Sequence, residues 1–277
     1  MDGKKNLKVG TRSSEFTCAN LLGNPNAIAA WGAAGTADKA AVYSVHDSMQ
    51  GCVGDCYFMA ALASVAWAAS NRLTAYPNYQ FRNPGTGADS AVALETRNLP
   101  KDAAGNLIFA RLGQGRYRWA ALYEKAYARW KCGSLDGTPD HANIPGLNEG
   151  CSLNGLISIT RWAAANKVEK TVAEWDTNKP LNTNGKATVP AIAWTEGRAD
   201  LPAGIYPNHS YSLLGFTATH VILRNPYGSL RPEPDANITS RVGVWNTIDL
   251  TNTNDGTFAL TNQAFKNYFY KYGWIHD

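Results

Sequence analysis

The sequence predicts an α+β protein in which a helix-rich first half, residues 1–160, is followed by a strand-rich second half, residues 161–277. Three observations carry this. An apolar, alanine-rich run follows Cys56, with Leu62, Val65, Ala66 and Ala69 at helical spacing. A second helical pattern places Leu122, Ala126, Tyr127 and Trp130 on one face. From about Val189 onward the chain changes to short alternating runs separated by turn residues, which is how strands read.

Taken in order, residues 1–45 are irregular apart from a short apolar helix candidate at Ala27–Ala34. The helix that starts at Cys56 is expected to run to Asn71 through the centre of the first half. The segment Cys132–Gly150 is loop by composition, because glycine, proline, asparagine and aspartate recur without apolar periodicity. A helical pattern resumes near Leu156 and takes in Trp162. The strand candidates are Val189–Trp194, His209–Phe216, His220–Arg224 and Gly243–Leu250, and the polar stretch Asn178–Lys186 is expected to be an exposed loop. No internal repeat or low-complexity tract is present.

Composition sets the outer bounds. With 44% hydrophobic and 11% aromatic residues, a chain of 277 can bury a sizeable core. A net charge of +4, from 26 basic and 22 acidic residues, is too small for a nucleic-acid footprint. No apolar run is long enough to span a membrane, and Met1–Lys5 lacks the apolar stretch of a secretory signal. A low charged fraction of 17% with abundant Asn, Thr and Gly leans towards an exported bacterial protein. Of the five cysteines, Cys132 and Cys151 bracket the loop and a disulfide could close it, buried reduced thiols being the alternative.

The stretch Gln50-Gly51-Cys52-Val53-Gly54-Asp55-Cys56-Tyr57-Phe58-Met59-Ala60-Ala61 sets Cys56 at a glycine-punctuated turn directly before an apolar helix. A helix start offers a partial positive charge and unpaired N–H groups, so a thiol there is expected to ionise more readily. The Gln50 amide can help to hold an oxyanion. A histidine base and an orienting partner should then follow far downstream. His209 opens a strand-like run 153 residues later, and Asn225 ends the next run 16 residues after that, ahead of Pro226. Two adjacent strands could present both together.

These motifs resemble the calpain family, the papain-like C2 cysteine peptidases. Its nucleophile signature is close to Gln-Gly-x-x-Gly-Asp-Cys-Trp-Phe-Leu-Ala-Ala. Its His-Ala-Tyr-Ser and Leu-Arg-Asn-Pro-Trp-Gly motifs match His-Ser-Tyr-Ser at His209 and Leu-Arg-Asn-Pro-Tyr-Gly at Asn225. Trp119–Arg129 looks like its Leu-Leu-Glu-Lys-Ala-Tyr-Ala-Lys helix, and Asp255-Gly256-Thr257-Phe258 like its closing segment. The resemblance implies a papain-like fold of a helical lobe and an antiparallel β lobe, with the cleft between them. It implies a cysteine endopeptidase acting on proteins or peptides through a Cys56–His209–Asn225 triad and Gln50, with no cofactor in the chemistry itself. Oligomeric state is left open.

It also implies calcium in each lobe. Asp47 and Glu124 stand where the first lobe's ligands lie, with helix capping and a surface charge pattern as the plain alternative. In the second lobe Arg231, Pro232, Ile238 and Thr257 replace the acidic pattern, so that site looks degraded. Tyr57 and Tyr227 replace family tryptophans, which suggests activation simpler than calcium-driven lobe closure. Cys52 reads as a small apolar residue, and His46, His141, His220 and His276 as ordinary core or surface groups; a zinc site built from Cys52, Cys56 and His46 or His220 has poor ligand spacing. Two other functions fit the same residues: a non-catalytic binding module, and an acyltransferase or amidase acting on a non-peptide substrate.

Overall fold

The computed structural model describes residues 43–94, 99, 106–113, 117–132, 147, 149–228, 232 and 255–277, with the backbone of 238–239, 244–245 and 248–249. The helix expected at Ala27–Ala34, His141 and most of the Cys132–Gly150 loop lie outside the described residues.

Strand β1 (Ser48–Met49) runs through the 50–55 turn into helix α1 (Cys56–Ala68). Every residue of α1 from Tyr57 to Ala66 is buried, as a helix apolar on all sides must be. It stops at Ala68 rather than Asn71, because Ala69 leaves helical geometry (φ −148, ψ 48) and Ser70–Arg72 form a tighter turn. A hairpin of β2 (Asn78–Arg82) and β3 (Asp89–Ala93) follows. Strand β4 (Arg111–Leu112) then pairs with β1, and α2 (Trp119–Cys132) and α3 (Ser152–Thr160) complete the helical half. Phe58 stacks on Tyr127 at 4.0 Å between ring centroids, and Phe81 meets both Tyr123 and Tyr127 edge-on. Arg161 closes α3 in the left-handed region (φ 61), which leaves Trp162 beyond the helix.

The second half is an antiparallel sheet. Its strands are β5 (Lys167–Thr171), β6 (Asn182–Thr183), β7 (Lys186–Ala187), β8 (Ala191–Trp194), β9 (Ser210–Phe216), β10 (His220–Arg224), β11 (Ile238–Thr239), β14 (Thr257–Thr261) and β15 (Lys271–Ile275). The order across the sheet is β11-β14-β10-β9-β8-β15-β5, with the β6–β7 hairpin attached to β9. The expected strand at Gly243–Leu250 is two short paired strands, β12 (Val244–Trp245) and β13 (Ile248–Asp249). Helix α4 (Asn262–Tyr268) packs behind the sheet. The Asn178–Lys186 stretch is more ordered than a loop: Asn184 (φ 53) and Gly185 (φ 87) make the two-residue Asn-Gly turn that matches strand twist, so β6 and β7 pair.

Strand β9 explains how the halves meet. Tyr211 and Leu213 point into the core built on Trp175, Phe258 and Phe265, while Leu214 meets Ala63 of α1. The serines on this strand cross to the helical half: Ser212 Oγ donates to the Ala60 carbonyl at 2.8 Å, and Ser210 Oγ lies 2.6 Å from Ser152 Oγ. Ser64 Oγ of α1 donates to the Ala191 carbonyl at 2.6 Å, and Trp67 Nε1 to the Leu214 carbonyl at 2.7 Å. Satisfying buried hydroxyls and carbonyls across the seam fixes the relative placement of α1 and β9.

Candidate active site

Between β1 and α1 the backbone is pressed onto the segment before β4. A Cβ on Gly51 would sit 1.7 Å from the Phe109 carbonyl oxygen, so only glycine fits there. Next to it, Cys52 N–H donates to the Ile108 carbonyl at 3.0 Å. Cys52 is buried, but it is disulfide-bonded rather than a free apolar thiol, and its partner lies outside the described residues. That bond also removes it from any zinc set. Cys132 and Cys151 are both free and exposed, so neither the disulfide closing the loop nor the buried-thiol alternative holds for them.

Gln50 is buried, and its Nε2 donates to the Val53 carbonyl at 2.7 Å. That bond orients the amide and leaves its second N–H for another acceptor. Cys56 opens α1, where the Asp55 carbonyl accepts from Phe58 and Met59 N–H. The thiol's polar neighbours among the described residues include the backbone and hydroxyl of Ser210, the residue after His209. Burial pushes the thiol up to about 11, and the Asp55 carboxyl adds to the rise against the Ser210 and Tyr57 contacts. The net direction is upward although Cys56 opens a helix and is partly exposed, because desolvation by its neighbours disfavours the thiolate.

His209 stands immediately before β9, behind the left-handed Asn208 (φ 50), and Thr195 fixes it from β8's end. Its N–H donates to Thr195 Oγ1 at 3.1 Å while its carbonyl accepts from Thr195 N–H at 3.0 Å. Asn225 follows β10, with its N–H donating to the Gly256 carbonyl at 2.9 Å. The two side chains meet at 2.9 Å, His209 Nε2 to Asn225 Oδ1. The same Oδ1 also accepts from Tyr227 N–H at 3.0 Å. An amide oxygen only accepts, so Nε2 carries the proton and Nδ1 is left with the free lone pair. Burial holds His209 down at about 4, against the opposing effect of the Asn225 contact. The Tyr227 ring lies parallel over the imidazole at 4.7 Å, and Tyr206 meets both rings edge-on at 5.8 and 5.4 Å. A tyrosine shields less than an indole, but here a second tyrosine completes the cover.

Asp47 and Glu124 each have one carboxylate oxygen engaged by a donor of the fold. Asp47 Oδ2 accepts from Trp119 Nε1 at 2.9 Å, and Glu124 Oε2 accepts from Ala110 N–H at 2.9 Å. Burial raises Glu124 well above the usual carboxylate range and Asp55 to about 7, with each carboxyl adding to the other's surroundings. Among the described residues no three His, Cys, Asp or Glu side chains cluster as a metal site would require. His46 lies 3.8 Å from Asp255, and His220 contacts Thr219 at 2.8 Å. His276 is an exposed-end contact with Asp277. Sequence reasoning assigned no role to Asp55, Arg224, Ser210 or Tyr206, although the first three sit inside the quoted motifs.

A buried helix that opens on a cysteine, set against a sheet bearing a His–Asn pair, has the architecture of the papain-like cysteine peptidases. The family model "Calpain family cysteine protease" matches residues 37–274, and the chain belongs to that family. It is similar to a "Thiol protease" of Porphyromonas gingivalis, 27% identical over 266 residues, which cover 80% of this chain and 53% of that protein. It is also similar to human "Calpain-14", 28% identical over 250 residues, covering 80% of this chain and 34% of that protein. The chain thus spans about half and about a third of the lengths of these relatives. No helix among the described residues is long and apolar enough to cross a membrane.

Proposed function

We propose that this chain is a cysteine endopeptidase acting on proteins or peptides, with Cys56 as nucleophile, His209 as base and acid, Asn225 as orienting group and Gln50 as oxyanion donor. The observation that carries the reading is the 2.9 Å contact of His209 Nε2 with Asn225 Oδ1, which fixes the tautomer a general base needs. With the thiol raised to about 11 and the imidazole lowered to about 4, both groups rest neutral.

Proton transfer then accompanies attack. His209 Nδ1 takes the thiol proton as sulfur bonds to the peptide carbonyl carbon, and the carbonyl π electrons move to oxygen. The Gln50 amide and the Cys56 N–H hold that oxyanion. The C–N bond breaks, the imidazolium proton goes to the departing amine, and a thioester remains. Water gives a proton to His209 as its oxygen adds to the thioester. Collapse releases the acid, and the sulfur recovers its proton. Each step uses protein groups and water.

Denatured casein, followed by peptide release, tests this. The wild type is expected to cleave internally and Cys56→Ala and His209→Ala to stay at background, with Asn225→Ala slowed but measurable. Release by Cys56→Ala at the wild-type rate, or none by wild type whose Cys56 also resists a thiol-reactive peptide probe, would overturn the reading.

A further inference from the structure

Arg224 is the last residue of β10 and the residue before Asn225, and it is fully buried. A guanidinium taken out of water costs several kcal/mol unless it is compensated. Its compensation spans both halves. Nη2 donates to the Ser48 carbonyl of β1 at 2.7 Å. Two buried carboxylates, Asp255 of the sheet half and Asp47 of the helical half, favour its charge, while burial works against it. Each carboxylate is itself held by a further donor, Asp255 Oδ1 by Thr257 N–H at 2.8 Å and Asp47 Oδ2 by Trp119 Nε1. Nε and Nη1 have no hydrogen-bond partner among the described residues, so the rest of the compensation comes from charge.

The seam at this point is short and continues into the site. Two residues beyond Ser48, Gln50 N–H donates to the Pro226 carbonyl at 2.8 Å. The Arg224–Ser48 and Gln50–Pro226 bonds therefore join the strand that carries the amide donor to the turn that carries Asn225. Each lies within two residues of a group the proposed chemistry uses.

We propose that Arg224 is a positioning residue: its buried guanidinium, bonded to the Ser48 carbonyl, pins the Gln50 strand of one half onto the Asn225 turn of the other. The catalytic part of this inference rests on the peptidase reading; the pinning does not.

Two measurements separate them. Hydrogen exchange by mass spectrometry reads peptides covering 46–52 and 222–228, and peptide-substrate kinetics reads kcat and KM. Arg224→Gln removes the charge and is expected to speed exchange in those two segments while α2 stays as in wild type. It is also expected to lower kcat by about tenfold to a hundredfold, the scale of a small misplacement of reacting groups, with KM little changed. Arg224→Lys keeps the charge and is expected to recover part of both. Wild-type exchange and kinetics in Arg224→Gln would overturn the proposal, as would losses equal in Gln and Lys with exchange raised uniformly over the protein. If Arg224→Gln does not fold, Arg224→Lys decides: faster exchange confined to the two segments supports pinning, and either a uniform rise or no change refutes it. If wild type is inactive yet exchange responds locally, the pinning stands and the peptidase reading falls.

Discussion

Gly51→Ala tests how the turn between β1 and α1 is built. The added Cβ would lie 1.7 Å from Phe109 O, 2.3 Å from Phe109 C and 2.5 Å from Ile108 O, all backbone atoms that no rotamer change can move. Real Cβ contacts do not fall below 3.0 Å, so the 50–55 turn must lift by about 1.3 Å. That lift breaks the 3.0 Å bond from Cys52 N–H to the Ile108 carbonyl. Overpacking costs about 1–3 kcal/mol and the orphaned N–H about 1–3 more. At about 2–4 °C per kcal/mol for a chain of this size, the melting midpoint should fall by about 4–24 °C. Because Gln50 and Cys56 ride on the same turn, kcat/KM should fall by about a hundredfold. Thermal unfolding by circular dichroism and casein cleavage read the two effects. Gly85→Ala, whose Cβ would meet only Asn83 Oδ1 at 3.4 Å, is the control and should match wild type. A Gly51→Ala protein with an unchanged midpoint and full activity would refute the account of the turn.

Two other expectations follow from the buried groups. His209 folds with a value of about 4 against 6.5 unfolded, so the unfolded chain binds more protons between those values; stability is fully present above pH 6.5 and falls towards pH 4. Cys56 is raised from 9.0 to about 11, so its contribution to stability falls as pH rises through that window; the raised Asp55 and Glu124 carboxyls act in the opposite sense to His209, since what they contribute is lost as pH rises. In a pH series of melts the midpoint difference between wild type and His209→Gln should change between pH 6.5 and 4, and that between wild type and Cys56→Ala between pH 9 and 11; differences independent of pH would contradict the burial argument. Glu124→Gln can still accept from Ala110 N–H and donate to Asp55, so it mimics the protonated acid and should melt close to wild type. Glu124→Ala leaves that N–H orphaned and should lose about 1–3 kcal/mol. Calcium against chelator should shift the wild-type and Glu124→Gln midpoints alike, and a calcium shift lost in Glu124→Gln would make Glu124 a ligand.

Much of the architecture was legible from local pattern. The continuous apolar face of α1 needs no partner to be recognised, and β10 has the bounds its alternation suggests, His220–Arg224. Boundaries that depend on single residues were less so: α1 stops where Ala69 leaves the helix, and α3 stops at a left-handed Arg161 before Trp162. The Asn184-Gly185 turn was a readable hairpin signal inside a stretch whose polarity suggested only a loop.

The sequence by itself determined the family, the α+β order and the residue types at the site, because these depend on motif identity and periodicity, which are local. Only the tertiary structure decided the state of those residues. A helix start favours a thiolate, yet the neighbours of the partly exposed Cys56, Ser210 of β9 and Asp55 among them, leave it desolvated enough that the thiol rises instead. Glu124 reads as an ordinary helix carboxylate, yet burial, with Asp55 from 69 residues away in the chain beside it, raises it well above the usual range. Arg224 looks like one more strand residue until its guanidinium is seen to reach Ser48 on the opposite half. Charge, solvation and hydrogen-bond partners are set by neighbours in space, and those neighbours come from distant parts of the chain.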